Sequence, residues 1–148
     1  MKKRILIALS LSMLSGTAAA EGNSFVLPVN EGTALLQQCS RSTPSNVEVF
    51  WVVQQPQINE LEKRLELFLR SSTGGTSALP IKRFHRQYVG FIKGGKRYIY
   101  GNFYPAGKIS LGEENTPVII CDGGRSFWGI VFAVESKTFR DLQFNGPA

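Results

Sequence analysis

The pattern of apolar and polar positions changes character along this chain, and each change predicts a different kind of element. Ile58, Leu61, Leu65 and Phe68 recur at spacings of three and four, which makes one apolar stripe on a helix. Glu60, Glu62, Lys63, Arg64 and Glu66 fill the other faces, with Glu60 and Arg64 placed to pair across one turn. Pro56 suits the first turn, where its missing N–H costs nothing. The run Ser71 to Ser77 is a loop by composition, so the helix is expected to end near Arg70.

After Pro80 the period becomes that of strands. Arg86 to Tyr104 consists of two aromatic-rich segments joined by Gly94-Gly95, a pair that tolerates the two positive φ angles of a type I′ turn. A two-residue turn there sets the register of a hairpin. Lys93 faces Lys96, Phe91 faces Tyr98, Val89 faces Tyr100 and Gln87 faces Asn102; the other face pairs Ile92 with Arg97, Gly90 with Ile99 and Arg86 with Phe103. Aromatic and β-branched pairs of this kind each add roughly 0.2–1 kcal/mol over alanine.

The remaining segments are shorter. Ser24 to Val29 is apolar, but Pro28 restricts it to an edge strand or an extended arm. Thr33 to Gln38 fits a helical turn or a short strand, and Ser40 to Asn46 is a polar connector. Val47 to Val53 reads as a strand. Beyond loops at Tyr104–Gly107 and Gly112–Asn115, Val118 to Cys121 reads as a short buried strand. Asp122-Gly123-Gly124 is a turn. Phe127 to Val134 and Phe139 to Phe144 form a last hairpin, with Val134 opposite Phe139 and Val131 opposite Leu142. The sum is an α+β fold: one antiparallel sheet of about five strands packed on one main helix. A cystatin-like sheet curved around a helix is one such arrangement, and several roll-like topologies fit equally well.

The start of the chain has a different logic. Lys2, Lys3 and Arg4 precede an apolar run from Ile5 to about Leu14, and Ala18-Ala19-Ala20 forms a small-residue cleavage site. Residues 1–20 are therefore expected to be a cleaved signal peptide, with export to the periplasm or secretion, and 21–148 a single domain. The run is too short for an ordinary transmembrane helix. Three of the 17 basic residues and none of the 11 acidic ones leave with that segment, which lowers the formal charge from +6 to +3. That weakens a nucleic-acid reading.

Only two cysteines occur, Cys39 and Cys121. In an oxidising compartment they are expected to form a disulfide, the alternative being buried thiols or metal ligands. One histidine and two distant cysteines make a poor zinc set.

Cys39-Ser40-Arg41, Phe50-Trp51, Leu61-Glu62, Arg86-Gln87-Tyr88-Val89-Gly90, Cys121-Asp122-Gly123-Gly124, Phe127-Trp128-Gly129 and Phe144-Asn145-Gly146 together resemble a pattern in small exported proteins of unknown function from Gram-negative bacteria. The resemblance covers most of residues 21–148. It implies export and supports the disulfide, and it brings no activity and no site residues.

Candidate chemistry is sparse. His85, the only histidine, lies in the basic run Lys82 to Arg86 without a nucleophile motif, and reads as a surface residue. Asp122-Gly123-Gly124 has too few carboxylates nearby for calcium and matches no phosphate loop. Glu113 and Glu114 could pair with Glu60, Glu62 or Glu66 as acid and base, but nothing in their spacing requires it. Trp51 and Trp128 read as core residues whose indole N–H groups need partners.

The most informative feature is an absence of acids from Glu66 to Glu113, an interval that holds eight basic residues. With the hairpin aromatics assigned to the core, Arg86, Lys93, Lys96 and Arg97 remain as the candidate binding residues. No catalytic or metal-ligating residue is singled out, and no cofactor. The reading favoured is a non-enzymatic periplasmic binding protein that contacts an acidic partner: an envelope protein, anionic lipopolysaccharide or a secreted enzyme. A small periplasmic hydrolase with its site in the sheet concavity is the alternative.

Overall fold

The computed structural model describes residues 22–72, 80–107 and 115–147. Residues 1–20, most of the loop that follows the helix, and the Glu113-Glu114 pair lie outside them. In chain order the elements are β1 (Ser24–Val26), α1 (Gly32–Leu35), β2 (Val49–Trp51), α2 (Gln55–Ser72), β3 (Phe84–Lys93), β4 (Lys96–Pro105), β5 (Trp128–Ala133) and β6 (Thr138–Phe144).

Helix α2 forms where the periodicity places it. Its start is tied by the Gln57 side chain, which accepts from the Gln54 backbone N–H at 2.8 Å, half of a capping box. Ile58, Leu61, Leu65 and Leu69 are buried, and Phe68 packs at the margin of the same cluster. Leu69 thus joins the expected stripe, because a face wide enough to cover a sheet takes more than one row of residues. Glu60 and Arg64 pair across the surface of the helix.

The β3–β4 hairpin has the expected register at every pair from Arg86↔Phe103 to Lys93↔Lys96. Gly94 and Gly95 adopt φ of 58° and 67°, the left-handed pair that a type I′ turn requires. Both strands are largely buried because the sheet is covered on both faces. On the α2 side, Tyr88, Ile99, Phe103, Trp128, Ile130 and Phe132 meet the helix. On the other, Val89, Phe91, Tyr98, Tyr100 and Val131 meet Leu27, Leu35 and the half-buried Phe50.

The fold is α+β with one main helix and one disulfide, but its sheet is mixed and has six strands. The order is β1-β3-β4-β5-β6, with β2 also on β3. β1 runs parallel to β3 at Arg86–Tyr88, and β2 runs antiparallel to it at Gly90–Ile92, so two short strands share one edge. Pro28 is consistent with this: it stops β1 and starts a helical turn at Val29–Glu31.

Two other expectations are corrected. Val118 to Cys121 is not a strand; its backbone is held by side-chain amides. The last hairpin pairs Phe132 with Phe139 and Val131 with Arg140, two positions from the expected register, around a turn at 134–137. The register then shifts between Gly129 and Val131, and Asp141 takes φ of 55°. This bulge turns Leu142 and Phe144 toward the α2 cluster while leaving Arg140 over Tyr98 on the opposite face.

Candidate functional site

The disulfide Cys39–Cys121 joins two irregular segments over the sheet face that α2 does not cover, with Cα atoms 5.0 Å apart. Beneath it lies a polar network seated on the Gln87–Asn102 pair of the hairpin. Asn102 Nδ2 donates to Gln87 Oε1 and to the Val118 carbonyl, and the Val118 N–H donates back to Gln87 Oε1. Gln87 Nε2 donates to the Thr116 carbonyl, and Asn145 Nδ2 donates to the carbonyls of Ile120 and Asp122. Amide side chains thus satisfy the backbone of a partly buried segment that has no ladder.

Arg41 sits at the centre of this network and is 9% exposed. Its Nε donates to the Tyr100 hydroxyl at 3.1 Å, Nη1 to Asn145 Oδ1 and Nη2 to Asn102 Oδ1. Among the described residues no carboxylate lies within ion-pair distance of it. A buried guanidinium held only by neutral oxygens is unusual, because burial of a charge is costly unless it is paired and hydrogen-bonded.

Tyr100, the acceptor for Arg41 Nε, is itself buried. Burial pushes its hydroxyl above the usual phenol range, against the opposing pull of Arg41, so it stays protonated at neutral pH. It forms part of the floor of a groove of about 240 Å³. Ser42, Thr43, Ser45, Lys93, Asp141 and Gln143 also line it. Gly129 makes room for the ring: a Cβ there would stand 2.4 Å from the Tyr100 oxygen.

The four binding residues expected from sequence do not form one patch. Arg86 is buried against α2, where its Nε donates to Glu62 Oε1 at 2.8 Å and its Nη1 to the carbonyls of Ile81 and Phe84. Tyr88 donates to the same carboxylate oxygen at 3.0 Å; burial first, and then the Glu62 charge, hold this phenol well above its usual range. Arg86 is therefore a structural ion pair between helix and sheet. Arg97 lies on the α2 side of the sheet, over the Trp51 ring and paired with Glu135. That pairing lowers the Glu135 carboxyl below its usual range.

Lys93 and Lys96 do come together. They stand directly opposite each other on the face away from α2, in line with Phe91 and Tyr98. Neither has an ion-pair partner among the described residues. Arg140 joins them, its guanidinium 4.3 Å from the Tyr98 ring centroid, and shares a second groove with Lys96. Sequence reasoning missed Arg140 because it lies beyond the acid-free interval; with the last hairpin in register, it would have fallen on this face. The acid-free interval is not acid-free in space. Glu48 accepts from the Gly94 N–H, Glu135 pairs with Arg97, and Asp141 lies 3.6 Å from Arg140.

His85 is not on the surface. It is 8% exposed, between Phe25 and Tyr104, and its Nδ1 accepts from the Asn23 N–H at 3.0 Å. Trp51 donates to the Phe91 carbonyl, whereas the Trp128 indole N–H has no partner among the described residues. Its ring instead stacks on Phe103 at 3.7 Å and meets the edge of Phe84. No group of three or more His, Cys, Asp or Glu side chains is placed to hold a metal ion among the described residues. None of their helices is long and apolar enough to cross a membrane.

Comparison with protein-family models, curated proteins and solved structures finds no match.

Proposed function

We propose that this is an exported, non-enzymatic binding protein of the bacterial periplasm, and that it docks an acidic envelope partner on the sheet face marked by Lys93, Lys96 and Arg140. Export rests on the layout of residues 1–20, and the disulfide is compatible with an oxidising compartment. The observation that carries the docking surface is the opposition of Lys93 and Lys96 without a carboxylate partner among the described residues. Like charges directly across a strand pair are destabilising, and an anion seated between them removes that cost.

The hydrolase alternative required His85 or a glutamate to meet other polar groups in a cleft. His85 packs between two aromatic rings, and Glu62 is engaged by Arg86 and Tyr88. No observation on the described residues favours that reading.

Capture from envelope extract on the immobilised protein, at low and high salt, tests the proposal. A partner held at low salt and released at high salt is the expected result, since exposed charges are screened within about 10 Å at 0.1 M. Capture that is indifferent to salt overturns it.

A further inference from the structure

Strand β6 is the last in the sheet order, so the side of it that faces away from β5 pairs with no strand. Among the described residues, Thr138–Phe144 makes no backbone hydrogen bond outside its pairing with β5. Such an edge offers N–H and C=O groups to whatever lies beside it. The bulge at Asp141 interrupts the regular run after Arg140. Two copies of this strand therefore meet an interruption along it, which guards against self-association, while Thr138 to Arg140 stays regular and open.

Each face of the sheet has a groove at this same open stretch, and Thr138 lines both. On the α2 face, Leu67 and Phe68 of the helix and Phe139 of the strand form an apolar groove of about 350 Å³, which Arg64 and Lys137 also line. Leu67 is 64% exposed there, although its neighbour Phe68 packs on Phe139. Arg64 and Lys137 both pair with Glu60, so this groove is chiefly apolar in character. On the opposite face, Lys96, Tyr98, Ser136, Thr138 and Arg140 line a groove of about 280 Å³ with Glu135. Here the cations prevail: Glu135 is paired with Arg97, Asp141 stands 3.6 Å from Arg140, and Lys96 has no ion-pair partner among the described residues. Both volumes lie near the bottom of the roughly 300–1,000 Å³ of drug-sized pockets, a size that suits single side chains.

A strand laid against Thr138 to Arg140 directs its side chains alternately to the two faces. The residue opposite Phe139 would enter the groove with Leu67 and Phe68, and the residues opposite Thr138 and Arg140 would face the groove of Lys96 and Arg140. We propose that β6 receives an extended segment of a partner protein in which an apolar residue lies between two acidic ones. The inference rests on the docking surface proposed above, and it names the acidic partner's chemistry as a polypeptide that adds a strand. Main-chain hydrogen bonds supply the affinity of such an addition, and the two grooves its specificity.

The test titrates the purified protein with a capped peptide of alternating glutamate and valine, followed by amide chemical shifts and hydrogen exchange at Thr138, Phe139 and Arg140. Saturable shifts there, with slowed exchange, are expected. The same peptide with every amide N-methylated should not saturate. A peptide with lysine in place of glutamate should bind at least about tenfold more weakly, a difference of about 1.4 kcal/mol. Leu67→Glu and Arg140→Gln, which alter exposed side chains, should each weaken the glutamate peptide about tenfold, whereas Val52→Glu, as exposed as Leu67 and outside both grooves, should not. The proposal is overturned if the glutamate peptide fails to saturate, if the methylated or lysine peptide binds as tightly, or if Leu67→Glu binds like the wild type. Concentration-dependent self-association of the protein alone, with slowed exchange at Thr138 to Arg140, would also overturn it by assigning the edge to a second copy. Saturable binding of polygalacturonate at Lys93 and Lys96 while the glutamate peptide does not bind would remove strand addition and leave the docking surface standing.

Discussion

The Arg86 guanidinium lies 2.8 Å from the Glu62 carboxylate, across the interface between β3 and α2, with Tyr88 bonded to the same oxygen. Sequence position alone groups Arg86 with the hairpin cations, and this contact assigns it to the interior. Removing one partner of a buried pair leaves an uncompensated charge. Glu62→Leu is therefore expected to cost about 3–5 kcal/mol in urea unfolding. Where the variant still folds, its capture of the acidic partner should match that of the wild type.

The disulfide closes a loop with a sequence separation of 82 and covers the Arg41 network. Cys39→Ser with Cys121→Ser should lower stability by about 4 kcal/mol on the chain-entropy account. A urea transition unchanged by the double substitution would show that the amide network alone holds these segments.

Gly129 lies against the Tyr100 hydroxyl, and an added methyl group there meets the ring. Gly129→Ala should cost about 1–3 kcal/mol, as overpacked sites do. It should also displace Tyr100 from Arg41, visible as changed amide shifts at both residues.

Tyr88 and Tyr100 are buried, and both phenols are raised above the ordinary value of about 10. The folded state holds these protons more tightly than the unfolded one, so their contribution to stability is fully present below about pH 10. It is lost as pH rises from there through the folded-state values. Unfolding followed by absorbance of the phenolate should therefore show stability falling above about pH 10, with Tyr100→Phe and Tyr88→Phe each reducing the slope.

Much of the fold was legible in local pattern. The Gly94-Gly95 turn specified ten residues of β3 against ten of β4, because a two-residue hairpin turn leaves one register. The stripe of α2 and the cysteine pair were likewise visible. What was not legible depends on contacts between distant segments. β1 runs parallel to β3 because residues 22–27 return beside it, and no local signal records direction. Val118 looked like a strand because it is apolar, yet its hydrogen bonds go to Gln87, Gln38 and Asn102. Asp141 adopts a positive φ that no glycine announced, which shifted the last hairpin.

The candidate site shows the same division. Lys93 and Lys96 could be placed face to face from sequence because one turn joins them. Arg140 and Tyr100 entered the site only through the pairing of β4, β5 and β6. Arg41 could not be assigned, since a lone arginine in a polar connector normally belongs to solvent and its burial follows from Asn102 and Asn145.

The most direct test of the docking surface compares the captured partner's affinity for three proteins: the wild type, Lys93→Glu/Lys96→Glu/Arg140→Glu, and Lys93→Arg/Lys96→Arg. If this face receives an acidic partner, charge reversal should abolish binding while the charge-preserving variant stays within about tenfold of the wild type. Wild-type affinity in the charge-reversed protein, with its fold intact by circular dichroism, would contradict the account.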